Sequence, residues 1–325
     1  MSGSEIAEGV WQFRLPLRYN PLGYTFSYYI ADIHALIDAG EESDEARNSL
    51  KRQLEKSSHK ITDIERLILT HLHRDHVGLV EYIKSASNAE ICAYESAAKG
   101  SNIDQNGRTL YENIRDETRS FGGSDFLGLL SRFEGSLSRP LTTVNVDRGY
   151  ADGEKIYPDQ SNIEAIWTPG HAPEHMCLHD AERRILYSGD HVLPVITPHV
   201  SLHTYETGDP LRDYLESLDK LDRIDVEKVY PAHEFAFDDL KSRIRELRAH
   251  HESRVDEIMA TLGVGDRTVF QVASKIKWKS RPWSLMPFWV KRMAAAETYA
   301  HLVFLRNDGK IREKITDGIL YYNKM

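Results

Sequence analysis

The pattern of apolar and polar residues predicts a sheet at the start of the chain. Residues 10–16, 24–31 and 34–38 alternate and are rich in aromatic and β-branched side chains, which favours three successive strands. The Asn-Pro-Leu-Gly segment at 20–23 predicts the turn between the first two strands. In residues 43–56, apolar side chains recur four positions apart, which predicts an amphipathic helix after the third strand.

The chain continues as an alternation of strands and helices. The pattern predicts helices at 77–86 and 214–221, strands at 67–70, 91–94, 163–168 and 226–230, and a hairpin of strands 176–179 and 184–188. Alternating strands and helices are typical of a layered α/β domain. We therefore expect a first domain that spans residues 1–238.

Within that domain the segment at about 95–153 is less regular. It contains helical pieces at 109–118 and 125–133 and several aromatic residues, Tyr111 among them. Such rings fit two roles: a lid that lines a substrate pocket, or the small core of an inserted pair of helices. We expect a helical insertion here.

After residue 238 the pattern predicts mostly helices, at 239–262, 268–276 and 286–305. The Asn-Asp-Gly-Lys turn at 307–310 predicts a wing-like hairpin near the end of the sequence. We therefore expect a smaller, mostly helical second domain.

The charge changes at the same boundary. Residues 239–325 contain 17 Lys and Arg against 10 Asp and Glu, whereas residues 1–238 contain 24 against 40, and the net charge of the chain is −9. A basic segment of this kind either attracts an anionic partner or complements an acidic neighbouring domain. Both interpretations stay open at this stage.

Composition sets further bounds. With 325 residues, 41% hydrophobic and 28% charged, the chain is typical of a globular protein. No apolar run approaches the roughly 18 residues needed to span a membrane, and the first residues lack the pattern of an export signal, so we expect a cytoplasmic protein without a transmembrane segment. Cys92 and Cys177 lie in predicted strands and are expected to be buried free thiols.

One cluster of polar residues follows the strand predicted at 67–70. It contains His71, His73, Asp75 and His76 within six positions. In extended backbone His71 and His73 point to the same side, and a helix that begins near Asp75 would turn the next two side chains away. The segment can therefore present two ligand sets close together, which suits two metal ions sharing a water. Imidazole and carboxylate groups are ligands for zinc, iron or manganese.

Three further candidates each follow a predicted strand: His171, Asp190 and His233. A single histidine at such a position is more often structural. Side chains at the ends of several strands converge on one edge in α/β proteins, however, and together with the first cluster they make seven candidate ligands.

These residues resemble the motifs of the metallo-β-lactamase superfamily. The matching segments are His71-x-His73-x-Asp75-His76, Thr168-Pro169-Gly170-His171, Gly189-Asp190, Pro231-Ala232-His233 and the early Asp38-Ala39-Gly40. The resemblance covers roughly residues 10–235 and implies an αβ/βα sandwich with a dinuclear site at one sheet edge. It implies one metal ion on His71, His73 and His171, a second on Asp75, His76 and His233, and Asp190 as the bridge.

The resemblance also indicates which branch of the superfamily the chain is similar to. True β-lactamases of this fold have a different residue, commonly Cys or Ser, where Asp190 stands, and they are exported. The chain is more similar to the hydrolase branch that includes glyoxalase II-type thioesterases, lactonases and ribonucleases. Its C-terminal region is similar to the winged-helix-like appendage found in a group that includes a β-lactamase-like mitochondrial endoribonuclease.

The implied mechanism uses a hydroxide that bridges two divalent ions, zinc first and manganese or iron as alternatives. Asp75 is expected to orient this nucleophile and to accept or donate a proton. Supporting positions are predicted for Asp38, at the end of a predicted strand, for His175, four positions after His171, and for His191, directly after Asp190. Contacts with substrate are predicted for His199, Tyr111 and Trp283.

Three interpretations of the substrate and of the C-terminal region remain. The first is a thioester or ester, of the acyl-CoA, acyl-glutathione or lactone type, with the insertion around the acyl group. The second is RNA phosphodiester cleavage, and the third is a docking or membrane-surface face. All three use the basic, aromatic run at 275–289, whose tryptophans could instead pack between domains. Binding that weakens steeply with added salt would favour the RNA interpretation, whereas packing between domains should not respond to salt in this way.

Overall fold

The structure is a computed structural model that describes residues 3–18, 20–98, 108–138, 144–157, 161–263, 265–279 and 281–325. Parts of the predicted insertion, 99–107 and 139–143, lie outside the described residues. The chain divides into two compact units: Met1–Ser101, Thr143–Pro198 and Glu216–Ile244 form the first, and Asn102–Thr142, His199–Leu215 and Arg245–Met325 form the second. The domain boundary predicted at 238/239 stays a prediction.

Two mixed sheets form the first unit. In the described residues, one sheet has the order β1 (Ser4–Ala7), β2 (Val10–Pro16), β3 (Tyr24–Ile30), β4 (Ala35–Ile37), β5 (Arg66–Ile68), β6 (Glu90–Tyr94) and β7 (Arg148–Tyr150). The other contains β8 (Lys155–Ile156), β9 (Ile163–Trp167), β10 (Met176–Asp180), β11 (Ile185–Gly189) and β12 (Lys228–Pro231) in the order β12-β11-β10-β9-β8. The pairs from β4 to β7 and the pair β11–β12 are parallel, and the other pairs are antiparallel.

Helices alternate with these strands and continue to the C-terminal region. The α-helices are α1 (Asp44–Lys56), α2 (Arg74–Val77), α3 (Val80–Ser87), α4 (Glu95–Ala98), α5 (Leu110–Ser120), α6 (Leu127–Leu130), α7 (Glu134–Leu137), α8 (Pro210–Leu221), α9 (Leu240–Thr261), α10 (Val269–Ala273) and α11 (Phe288–Asn307). Short 3₁₀ turns lie at Ala31–Ile33, Ile61–Asp63, Ser124–Phe126, Ser131–Phe133 and Trp283–Leu285. None of the helices in the described part of the chain is long and apolar enough to cross a membrane.

The two sheets of the first unit share one apolar layer. Alternate side chains of both sheets, such as Tyr28, Ile68 and Leu178, form a single buried cluster. The side chains on the opposite face of the first sheet pack against α1 and α3, through residues such as Leu50 and Ile83. Because strands expose successive side chains to opposite faces, this pattern builds layers. The predicted layered sandwich of two sheets with helices is confirmed.

Most predicted elements of this unit are present, with shifted ends. The strand predicted at 24–31 ends at Ile30, and the helix predicted at 77–86 begins at Val80. The N-terminal strand β1 was not predicted, because its four residues alternate too briefly to give a clear pattern. Cys92 and Cys177 are buried free thiols, as expected.

The second unit has its own core and a small sheet. Its core includes Phe121, Ile258, Val269 and Leu302. Strands β13 (Arg267–Thr268), β14 (Ile311–Thr316) and β15 (Ile319–Lys324) pair in the order β13-β15-β14.

One local prediction in this unit is confirmed and another was wrong. The predicted turn at 307–310 joins α11 to β14, and a terminal hairpin of β14 and β15 follows, with its own turn at 317–318. The helix predicted at 125–133 is broken into short 3₁₀ and α segments.

Candidate metal centre

The loop after β5 presents the first four candidate ligands. His71 is buried on this loop, and His73 is the extended N-cap residue of α2, with φ −68° and ψ 150°. Asp75 and His76 lie inside α2. The change from extended backbone to helix therefore separates the four side chains into two pairs, as the spacing predicts.

The seven predicted ligands lie in one cluster. Their ligand atoms form three groups, each with mutual distances within 4.8 Å: His71, His73 and His171; His71, His76 and Asp190; and Asp75, His76 and His233. In the first group, Nδ1 of His73 lies 3.0 Å from Nε2 of His71 and 3.0 Å from Nε2 of His171.

Asp190 faces both ends of this cluster. Its Oδ2 atom lies 3.6 Å from His171 Nε2 and 3.6 Å from His76 Nε2. Its Oδ1 atom lies 3.4 Å from His233 Nε2, which is itself 3.6 Å from Asp75 Oδ2. The two oxygens of one carboxylate thus face ligands of both sets that the resemblance implies.

The residues fit a divalent metal ion. Three of their buried polar atoms form no hydrogen bond: Nε2 of His76, Nε2 of His233 and Oδ1 of Asp190. A buried polar atom without a partner costs about 1–3 kcal/mol, so three of them close together fit a site that a cation can occupy. A donor set of imidazole nitrogens and carboxylate oxygens suits zinc, manganese or iron.

Electrostatics favour the ligand forms of two of these groups. Burial lowers the pKa of His71 well below its usual value, and the neighbouring histidines lower it further, so its imidazole is neutral. Burial raises the pKa of Asp190, but His76, His233 and His171 lower it by more, so the net pKa lies well below the usual range. Asp190 is therefore a carboxylate at neutral pH.

Asp38 supports the cluster from the end of β4. It accepts hydrogen bonds from Thr70 N at 2.9 Å, from Thr70 Oγ1 at 2.9 Å and from His76 Nδ1 at 2.8 Å. With Nδ1 of His76 directed at Asp38, Nε2 is the ring atom that faces the cluster, and it can bind a cation when the imidazole is neutral. Thr70 Oγ1 lies 3.0 Å from His71 Nδ1. Nδ1 of His71 therefore faces Thr70, and its Nε2 faces the cluster, as in His76.

His175 and His191 lie behind Asp190. The backbone N–H of Asp190 donates to His175 Nε2 at 3.2 Å, so His175 Nδ1 donates to Thr168 Oγ1 at 2.8 Å. His191 is buried, with its ring 5.5 Å from that of His175. Only glycine fits at position 189, because a Cβ there would lie 2.6 Å from His175 Nε2. His175 therefore positions the backbone of Asp190.

Two glutamates also position the site but were not predicted. Glu174 accepts a hydrogen bond from the backbone N–H of Leu72, between the first two histidines, at 3.1 Å. Glu234 accepts from the backbone N–H groups of Val195 and Ile196, at 2.9 and 3.1 Å. Their closeness in sequence to the ligands His171 and His233 indicates that they lie near the site. The backbone groups that they bind lie 38 to 102 positions away, so these hydrogen bonds could not be predicted.

The three residues predicted to contact substrate belong to the second unit. Tyr111 is buried beside Ile114, and Trp283 packs edge-on against Phe270. His199 pairs with Glu297, and the distance from His199 Nδ1 to Glu297 Oε2 is 3.6 Å. Their contact with substrate stays a prediction.

Comparison with known proteins agrees with the motifs. The sequence profile described as "Metallo-beta-lactamase superfamily" matches residues 20–233. The chain is 26% identical over 332 residues to "Probable metallo-hydrolase YqjP" of Bacillus subtilis, covering 98% of each. It is 28% identical over 227 residues to "Lactamase-like protein adaB" of Aspergillus niger, which covers 70% of this chain but only 54% of the relative, so the match spans about half that protein.

A solved structure agrees as well. The metallo-beta-lactamase family protein of Thermus thermophilus superposes with a TM-score of 0.72 and 26% identity, covering 99% of this chain and 100% of that one. The family profile matches well over half of the sequence. The chain belongs to the metallo-beta-lactamase superfamily.

Proposed function

We propose that the protein is a dinuclear metal-dependent hydrolase that acts on a thioester or an ester. Membership of the superfamily and the relative named a probable metallo-hydrolase support a hydrolase. The observation that carries the dinuclear form is the position of Asp190, whose Oδ2 faces both His171 and His76 while its Oδ1 faces His233. A carboxylate that faces ligands of both sets is suited to bridging two ions.

The ligands in this proposal are the seven residues of the cluster. Divalent ions held by them would lower the pKa of a bound water and polarise the carbonyl oxygen of a substrate. Asp75 is partly exposed, and its Oδ2 lies 3.6 Å from His233 Nε2, so it can orient the attacking water and accept its proton. Water adds to the carbonyl carbon, the C–S or C–O bond breaks, and the leaving group takes up the proton.

Apolar side chains beside the cluster favour a carbonyl substrate over a polyanion. Glu234 follows the ligand His233 directly and holds the backbone of Val195 and Ile196. Val195 is 58% exposed, and Phe235, the next residue after Glu234, is 54% exposed. Exposed apolar groups next to a polar centre are typical of contact with an apolar part of a ligand.

The basic surplus of residues 239–325 keeps RNA as the second candidate. The third interpretation makes the apolar residues of the 275–289 run a docking or membrane-surface face. Two of these residues, Met286 and Phe288, are buried, which weakens it. Leu285, at 69% exposure, stays accessible. A cytoplasmic location and zinc as the metal remain predictions.

A hydrolysis screen tests the proposal. Zinc- and manganese-loaded protein is assayed with acyl-CoA and acyl-glutathione thioesters, lactones and labelled single-stranded RNA, alongside two variants. His73→Ala removes a ligand of the cluster, whereas His59→Ala removes a histidine that packs on Trp11 and Tyr29. Thioester or ester turnover that is lost only in His73→Ala is the expected result. Turnover of RNA alone would refute the substrate class, and turnover unaffected by His73→Ala would refute the centre.

A further inference from the structure

The second unit contains a cavity that the proposed hydrolase chemistry does not use. It has a volume of about 220 Å³ and lies between one face of α9 and the segment after α10. The α9 side is formed by His250, Ser253, Arg254 and Glu257, whose spacing of three and four places them on one helix face. Residues 277–279 form the other side. We call this space the α9 cavity.

Hydrogen bonds fix the two walls of the α9 cavity to each other. Arg254 is buried and donates from NH1 to the carbonyl of Lys277 at 2.6 Å and to Glu257 at 3.0 Å. The backbone N–H of Lys277 donates to the same Glu257 oxygen at 3.2 Å. The indole N–H of Trp278 donates to the carbonyl of Ala273 at 2.9 Å. The cavity is therefore held open by the fold and does not depend on a ligand for its shape.

The walls carry an excess of positive charge. Arg254 is balanced by Glu257 at 3.0 Å and by Glu297 at 3.6 Å, and its guanidinium also lies 4.5 Å from the centre of the Trp278 ring. Lys277 and Lys279 are exposed, and among the described residues neither ammonium group lies within 4.0 Å of a carboxylate. Two cations beside a cavity whose other charges are paired would attract an anion.

We infer that the α9 cavity binds a phosphate group of a small molecule, with Lys277 and Lys279 as the cations. Ligand pockets for drug-sized molecules have volumes of about 300–1,000 Å³, so a smaller space suits a compact anion such as phosphate or diphosphate. Lysine ammonium groups act as point charges for phosphate oxygens, and the Ser253 hydroxyl offers a further donor. The Trp278 ring at the wall can contact a base or sugar that extends from the phosphate.

Only part of the basic, aromatic run at 275–289 lines the α9 cavity. Lys277, Trp278 and Lys279 line it, whereas Trp283 packs on Phe270 and Trp289 on Phe133. Lys275 belongs to the same run but does not line the cavity, so it provides a matched control. Exposed lysines can be replaced without disturbing a core, so the variants should fold.

Isothermal titration calorimetry of the full chain with pyrophosphate and with ADP tests the inference. We expect binding to both, and a loss of affinity of about tenfold or more in the double variant Lys277→Gln/Lys279→Gln, with Lys275→Gln unchanged. Tighter binding of ADP would identify a nucleotide as the natural source, and tighter binding of pyrophosphate would identify the free anion; either supports the site. Quenching of tryptophan fluorescence that disappears in Trp278→Phe would support it independently.

Three results would overturn the inference. One is the absence of binding at millimolar ligand. Another is equal binding by the wild type and the double variant, which is also the result expected if the anion binds only at the metal centre. The third is an equal loss in Lys275→Gln, because that would reflect the general charge of the segment and not a site.

Discussion

Replacement of Asp38 by Asn should weaken metal binding without unfolding the protein. The Asp38 carboxylate is buried, with 2% exposure, and receives hydrogen bonds from Thr70 and from His76 Nδ1. Asn preserves the volume, and it tolerates the left-handed backbone at this position, where φ is +56°. The effect should therefore arise from the lost acceptor and not from strain.

The expected magnitude follows from the donors around position 38. An amide has one acceptor oxygen, so when that oxygen faces Thr70, the amide NH₂ faces His76 Nδ1. His76 must then move its hydrogen to Nε2, the atom that lies 3.6 Å from Asp190 and would bind metal. Loss of such a supporting acceptor typically lowers metal affinity about 10–100-fold, or about 1.4–2.7 kcal/mol. The opposite orientation leaves the Thr70 N–H unpaired, at about 1–3 kcal/mol of stability.

Competition with a chromophoric chelator measures the metal affinity, and thermal unfolding in EDTA measures the stability of the metal-free chain. Asp180→Asn is the matched control: Asp180 is also buried at a strand end, where it accepts hydrogen bonds from the backbone of Glu182 and Arg183. It ends β10, five residues or about 16 Å along the chain from His175, which directly precedes that strand. Asp180→Asn should lose stability but not affinity. A metal affinity for Asp38→Asn within about twofold of wild type would refute the reasoning.

Two further predictions concern carboxylates. Asp190→Ala should bind one metal ion fewer per chain and lose most hydrolytic activity, because its two oxygens face His171 and His233; elemental analysis that finds full metal content would contradict the bridging role. Burial raises the pKa of Glu297, but His199, His301 and Arg254 lower it to about 2, so its contribution to the free energy of unfolding is present above pH about 4.5 and is lost as the pH falls toward 2. Urea unfolding of metal-free protein should therefore show a smaller difference between wild type and Glu297→Gln at pH 3 than at pH 6, and an equal difference at both would contradict the assignment.

The ligand cluster was predictable because the sequence immediately around each residue indicates where it lies in the fold. Each candidate follows a strand, as His171 follows β9 and His233 follows β12, and a strand end limits where the next side chains can lie. The partners that support the ligands were harder to predict. The backbone N–H groups held by Glu234 lie 38 and 39 residues away, and nothing in the local sequence specifies that pairing.

The terminal hairpin shows the same limit of local information. Asp-Gly pairs occur at both 308–309 and 317–318, and either is typical of a tight turn. At the first pair only Gly309 has a positive φ, of 68°, and the segment ends helix α11. At the second pair Asp317 and Gly318 have φ values of 51° and 76°, and both central residues of a type I′ hairpin turn require positive φ. Strands 311–316 and 319–324 decide the choice, because only the second pair lies between two segments that can form a ladder.

Substrate contacts are less predictable than metal ligands for a physical reason. A metal ion requires several donors of few types, so chance alone rarely places His71, His73 and His171 near Asp190. An aromatic residue has no such requirement, and Tyr111 and Trp283 satisfy the packing of the second unit equally well.

The buried Glu117 could not be predicted from the sequence either. It is fully buried in the second unit and paired with Arg292 at 2.8 Å and His203 at 2.7 Å, partners more than 80 positions away. Neither its burial nor its pairing follows from the helix in which it lies, because both depend on how distant segments pack.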